Sequence, residues 1–77
     1  MVSYPQRIID IVFKRGCAKR EEILNEISRE LGVPKERVEA AVDTALERLV
    51  RRGLIVRKSK GYYCSPVYGD RMHLAQT

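Results

Sequence analysis

The chain has 77 residues, 44% hydrophobic and 32% charged, a composition that fits one small folded domain and excludes a disordered chain or a second core. No apolar run is long enough to span a bilayer, and the opening MVSYPQRI lacks the apolar stretch of a secretory signal, so a cytosolic protein is expected. The net charge of +5 is unevenly placed: residues 1–38 carry eight basic and six acidic side chains, residues 48–60 six basic and none acidic. Such a segment is either a solvated face or an electrostatic footprint for phosphate, and composition alone does not choose.

The first periodic segment, PQRIIDIVFKRG, predicts a helix over 5–15, with Pro5 in its first turn and Gly16 as its stop. Ile8, Ile9, Val12 and Phe13 are assigned to its buried face, leaving Ile11 as a flank or a pairing contact. A second helix is predicted over 19–31: Glu21 and Glu22 suit a helix N-terminus, Ile23, Leu24, Ile27 and Leu31 form the apolar stripe, and Gly32 ends it. Only Gly32 and Val33 separate it from Pro34, which opens the longest helix, 34–52. Its stripe is Val38, Val42, Ala45, Leu46 and Leu49, closed by Gly53.

After Gly53 the period becomes extended. Strands are expected near 54–57 and 62–65, joined by Lys58-Ser59-Lys60-Gly61 as the hairpin turn and ended by Pro66. Tyr62 and Tyr63 alternate faces, so one packs on the core and the other faces out. Residues 1–66 form the domain, and 67–77, VYGDRMHLAQT, with no period, is read as a flexible tail.

The fold class is therefore mainly α with a small β-hairpin. Three pieces carry a family likeness: Ile23…Ile27…Leu31-Gly32-Val33 at the second helix and its turn, Leu46…Leu49…Gly53-Leu54-Ile55 leading out of the third helix, and the basic turn Lys58-Ser59-Lys60-Gly61. In this order and with these short linkers, residues 5–66 resemble a winged helix-turn-helix domain of the kind found in small archaeal-type transcriptional regulators. The resemblance implies that the third helix enters the major groove of double-stranded DNA while the hairpin, the wing, touches the backbone.

On that reading the candidate contacts on the third helix are Arg37, Ala41, Thr44, Arg48 and Arg51, small in the middle of one flank and cationic at its ends. Arg57, Lys58 and Lys60 are the wing cations, and Ser59 is a phosphate donor beside them. Lys19 and Arg20, at the start of the second helix, are further backbone contacts. The sequence departs from the family pattern at the other flank, Glu36, Glu39, Asp43 and Glu47, where Glu39 and Asp43 occupy positions usually taken by Ser, Thr, Arg, Lys or Gln. The third helix is also about one turn longer than usual.

The resemblance further implies a short strand between the first two helices, pairing with the second wing strand. Cys17 would lie on the one and Cys64 on the other, either bridged or as two buried thiols. A bridge fits a heat-adapted cytosol, towards which the Arg/Glu/Lys/Val/Ile usage without Trp leans. No metal or cofactor is expected: two cysteines and the lone His73 make no ligand set, and neither a nucleophile–base pair nor a phosphate loop is present. No small-molecule ligand and no membrane partner are indicated.

The leading expectation is a DNA-binding regulator that pairs as a homodimer, with Tyr4, Ile11, Phe13 and the tail residues Tyr68, Met72 and Leu74 as pairing surface. The alternatives are a protein-interaction adaptor, favoured by the acidic flank, and RNA or single-strand binding through the wing and tyrosines.

Overall fold

The computed structural model describes residues 3–66. Over them the chain runs α1 (Tyr4–Arg15), β1 (Cys17–Lys19), α2 (Arg20–Leu31), α3 (Lys35–Arg51), β2 (Val56–Ser59) and β3 (Tyr62–Cys64). The strands form one antiparallel sheet of order β1-β3-β2. This is the winged-helix architecture that the order of elements implies. The tail from Val67 onward, with Tyr68, Met72, His73 and Leu74, lies outside the described residues.

Each helix boundary has a local cause. Ser3 caps α1, its hydroxyl accepting from the Gln6 amide at 3.4 Å, and Pro5 sits in the first turn where no amide is needed. At the start of α2, Glu22 reaches back to accept from the Lys19 amide at 2.8 Å. The end of α2 turns on Gly32, at φ +68, while the Ser28 carbonyl accepts from the Gly32 and Val33 amides and the Ser28 hydroxyl donates to the Val33 carbonyl. α3 closes in a Schellman arrangement: the Leu54 amide donates to the Leu49 carbonyl at 2.9 Å and the Gly53 amide to the Val50 carbonyl at 3.0 Å, with Gly53 at φ +76.

That closing turn corrects the expected wing. Leu54, placed in a strand by its hydrophobicity, belongs to the helix stop and is exposed, so β2 starts two residues later, at Val56. Lys58 and Ser59, expected in the turn, lie in β2, and Lys60-Gly61 makes the tight connection. Ser59 pairs with Tyr62 and Arg57 with Tyr63, so Lys58 is the irregular extra residue between them. β3 ends at Cys64 rather than Ser65.

The core gathers Ile8, Ile11 and Val12 of α1, Ile23, Leu24 and Ile27 of α2, the whole predicted stripe of α3, and Ala18 and Ile55 from the sheet region. Two assignments on α1 are reversed. Ile11 is buried, so it is not available as a pairing contact, while Phe13 is 50% exposed. Ile9 is only half-buried against the core, and Leu31, at the last position of α2, is largely exposed. Tyr63 packs on the core and Tyr62 faces out, as their alternation requires.

β1 pairs with β3 in the register Cys17↔Cys64, Ala18↔Tyr63 and Lys19↔Tyr62, and Cys17 and Cys64 are joined by a disulfide. Beyond the two ends of the ladder, the Ser65 amide donates to the Gly16 carbonyl and the Arg20 amide to the Gly61 carbonyl, each at 2.8 Å. The wing is thereby held against the first turn of α2.

Candidate nucleic-acid interface

α3 presents two unlike flanks, and its neighbours differ as much as its side chains. On one side Ala41, Thr44 and Arg48, with Ala40, face Tyr4 and Pro5 of α1 across an open hollow of about 450 Å³. Ala40 and Ala41 keep the helix surface low there, and Arg48 and Thr44 supply the polar groups at its edge. Arg37 is exposed one turn towards the N-terminus of α3.

On the other side Asp43 meets Arg20. The guanidinium lies fork-on-fork against the carboxylate, with Nε 2.7 Å from Oδ1 and one terminal nitrogen 2.9 Å from Oδ2. Glu21 and Glu39 stand 3.9 and 4.0 Å from the same group. The hydrogen bond from Arg20 holds the Asp43 carboxyl below the ordinary carboxylate range, and Asp43 in turn keeps Arg20 more firmly protonated. Lys35, at the start of α3, reaches Glu21 at 3.6 Å. The residues that depart from the family pattern, Glu39 and Asp43, thus surround one arginine.

The wing lies on this second side. The Arg20 amide is bonded to Gly61, and the Arg20 Cβ is 4.0 Å from where a Cβ on Gly61 would stand. Gly61, at φ +74, makes the connection that brings Lys60 beside α2. The sequence-derived site residues therefore fall into two groups. Lys19, Arg20, Lys58, Ser59 and Lys60 gather round the wing and the start of α2, Arg57 lies further along β2, and Ala41, Thr44 and Arg48 lie across α3 beside α1.

The cations also divide by what they touch. Arg15 bonds Glu22 and Glu26, each at 3.2 Å, Arg7 bonds Glu30, and Arg51 bonds Glu47 at 2.9 Å one turn away. Arg20 and Lys35 are engaged as described. Among the described residues, Lys14, Lys19, Arg29, Arg37, Arg48, Arg52, Arg57, Lys58 and Lys60 form no salt bridge, and all are exposed. Arg51 is thus the sequence candidate already neutralised by its own helix. Arg52, omitted from that set, is left open, and its place beyond the last turn on the Arg48 side was the signal for it. The described residues hold no group of three side chains arranged for a metal ion, and no helix among them is long and apolar enough to cross a membrane.

A family model described as "Transcriptional regulator, AbiEi antitoxin" matches residues 6–66, from the first turn of α1 to the end of the wing. The chain belongs to this family. Comparison with curated proteins and with solved structures returned no match. The AbiEi family match covers every element of the fold, including the Arg20–Asp43 pair and the disulfide, and describes a regulator rather than an enzyme class.

Proposed function

We propose that the chain binds double-stranded DNA as a transcriptional regulator, with the outer surface of α3 in the major groove and the wing cations on the backbone. The observation that carries this reading is the division of the cations. Between α1 and α2, Arg7 and Arg15 are tied to Glu22, Glu26 and Glu30, and among the described residues of these helices only Lys14 and Arg29 stand without a salt bridge. On α3 and the wing, by contrast, the open cations are gathered: Arg37, Arg48, Arg52, Arg57, Lys58 and Lys60 are exposed to an external anion. Phosphates on the two sides of a groove are such anions, and a helix fits between them. A second copy joined through α1, where Phe13 is exposed, gives two such surfaces for a two-fold symmetric site.

The family description also names an antitoxin, which fits a protein partner. The acidic flank that would suit such a partner is largely engaged, Asp43 and Glu39 with Arg20 and Glu47 with Arg51, so duplex DNA is the reading favoured. Fluorescence anisotropy with a mixed-sequence labelled duplex across a salt series tests it. Binding that weakens steeply with salt is expected, and no binding at low salt overturns the proposal.

A further inference from the structure

Arg20 occupies an unusual position for a cation at this corner. Its amide is bonded to Gly61 of the wing turn and its guanidinium to Asp43 in the middle of α3, and the exposed Lys19 and Lys60 are the chain neighbours of the two residues joined at that turn. A backbone phosphate lying between wing and α3 would meet Arg20. Yet one edge of its guanidinium, Nε and one terminal nitrogen, is already bonded to Asp43, and two more carboxylates stand within 4.0 Å. A carboxylate and a phosphate present the same pair of acceptor oxygens to a guanidinium. The Asp43 side chain is 51% exposed and that of Arg20 32%, so the pair sits at the surface, where an incoming anion can displace it.

Resting on the DNA-binding reading above, we infer that Asp43 is an internal competitor for phosphate and Arg20 a phosphate contact held in reserve. Asp43, with Glu39 at 4.0 Å from the same guanidinium, occupies its bidentate Nε edge and adds negative charge to the face that approaches the duplex. Loose encounters with DNA therefore engage only the wing lysines and the open arginines. Arg20 changes partner only where a phosphate is brought as close to it as Asp43 is. This gives the two acidic residues that break the family pattern a role in discrimination: they lower affinity for every duplex and lower it most where the fit is poor. The position of the wing does not depend on the exchange, since the Arg20 amide, the sheet and the disulfide hold it independently of the Arg20 side chain.

The test is a double-mutant cycle on the 77-residue chain, read as duplex affinity and its salt dependence. Asp43→Asn is expected to bind mixed-sequence duplex several-fold tighter at low salt. The slope of log affinity against log salt should steepen by about 0.9, the value for one further phosphate neutralised. Arg20→Gln should cost several-fold more in the Asp43→Asn background than in the native one, and the double variant should lose the added slope. Asp43→Ser carries the same expectations should the asparagine amide itself hold the guanidinium. A steepened slope that persists without Arg20 overturns the inference, because loss of one negative charge then accounts for it. Weaker binding by both Asp43 variants overturns it too, because the pair is then a structural clip. Native protein that binds while the cycle shows no coupling defeats this inference alone, whereas native protein that binds no duplex defeats the underlying function and the inference with it.

Discussion

Cys17 and Cys64 stand directly opposite one another across β1 and β3, and the disulfide between them links residues 47 apart in sequence. The bond ties the stretch between α1 and α2 to the return strand of the wing. A domain of this size buries a modest core, so a cross-link closing most of the chain counts for much of its stability. Loop entropy for this span corresponds to about 4 kcal/mol, and measured losses for such bonds run to about 2–4 kcal/mol. Cys17→Ala/Cys64→Ala is expected to shift the denaturant midpoint down accordingly, and an excess of dithiol should do the same to the native chain only. Intact mass without reductant should be two hydrogens below the reduced mass. A midpoint that ignores both changes would show that the bond contributes nothing.

Neutralising the wing is expected to act on all sequences alike. Arg57, Lys58 and Lys60 are exposed and form no salt bridge among the described residues. Replacing all three by Gln should flatten the salt slope by about 0.9 for each phosphate that is no longer neutralised, and weaken every duplex by a similar factor. Anisotropy on two unrelated duplexes measures both quantities. A loss confined to one sequence would place these residues on bases instead.

Arg48 and Thr44 lie across α3 from the wing, at the edge of the hollow beside Tyr4 and Pro5. Arg48→Ala should cost about 1–3 kcal/mol at a guanine it reads and less elsewhere, and Thr44→Ala should change preference at a neighbouring pair. Selection from random duplexes with native and variant chains displays the preference. Identical selected sites would mean that this flank only approaches the backbone.

Ile11 and Phe13 exchange the places that hydropathy assigns them. Ile11 is buried at the α1–α2 junction and Phe13 is half exposed. Ile11→Ala should cost about 2–5 kcal/mol of stability. Phe13→Ala should cost less than about 1 kcal/mol in the monomer and, if α1 is the pairing face, should shift sedimentation towards the monomer at fixed concentration. A large stability loss from Phe13→Ala alone would place that ring in the core after all.

The reason this pair escaped the sequence is geometric. At about 100° per residue, Ile8 and Val12 define a face that either Ile11 or the Ile9–Phe13 side can widen, and only the positions of α2 and α3 decide between them. The stripe of α3 was readable because Val38, Val42, Ala45, Leu46 and Leu49 leave no second choice. The wing was readable as an event but not in register: Leu54 looks like strand until the Schellman turn after Leu49 claims it. The basic candidates were legible as residue types. Their pairing was not, because Arg20 and Asp43 are 23 positions apart and meet only when α2 and α3 cross. That meeting gives Glu39 and Asp43, the departures on α3, a shared partner that the sequence alone did not show.

The same pair fixes the sign of one pH effect. The Asp43 carboxyl is held below its ordinary range in the folded chain, chiefly by the hydrogen bond from Arg20. A depressed carboxyl contributes stability that is complete above its unfolded value, about 3.9, and is lost as pH falls through the lower folded value. The pair is half exposed, so solvent and salt screen it and the contribution should stay below about 1 kcal/mol. The difference in unfolding free energy between the native chain and Asp43→Asn should therefore be level from about pH 5 to 8 and shrink towards zero in acid below the folded value. High salt at neutral pH should shrink it as well. A difference that survives both treatments would mean that the asparagine disturbs packing and that the ion pair is not what stabilises this corner.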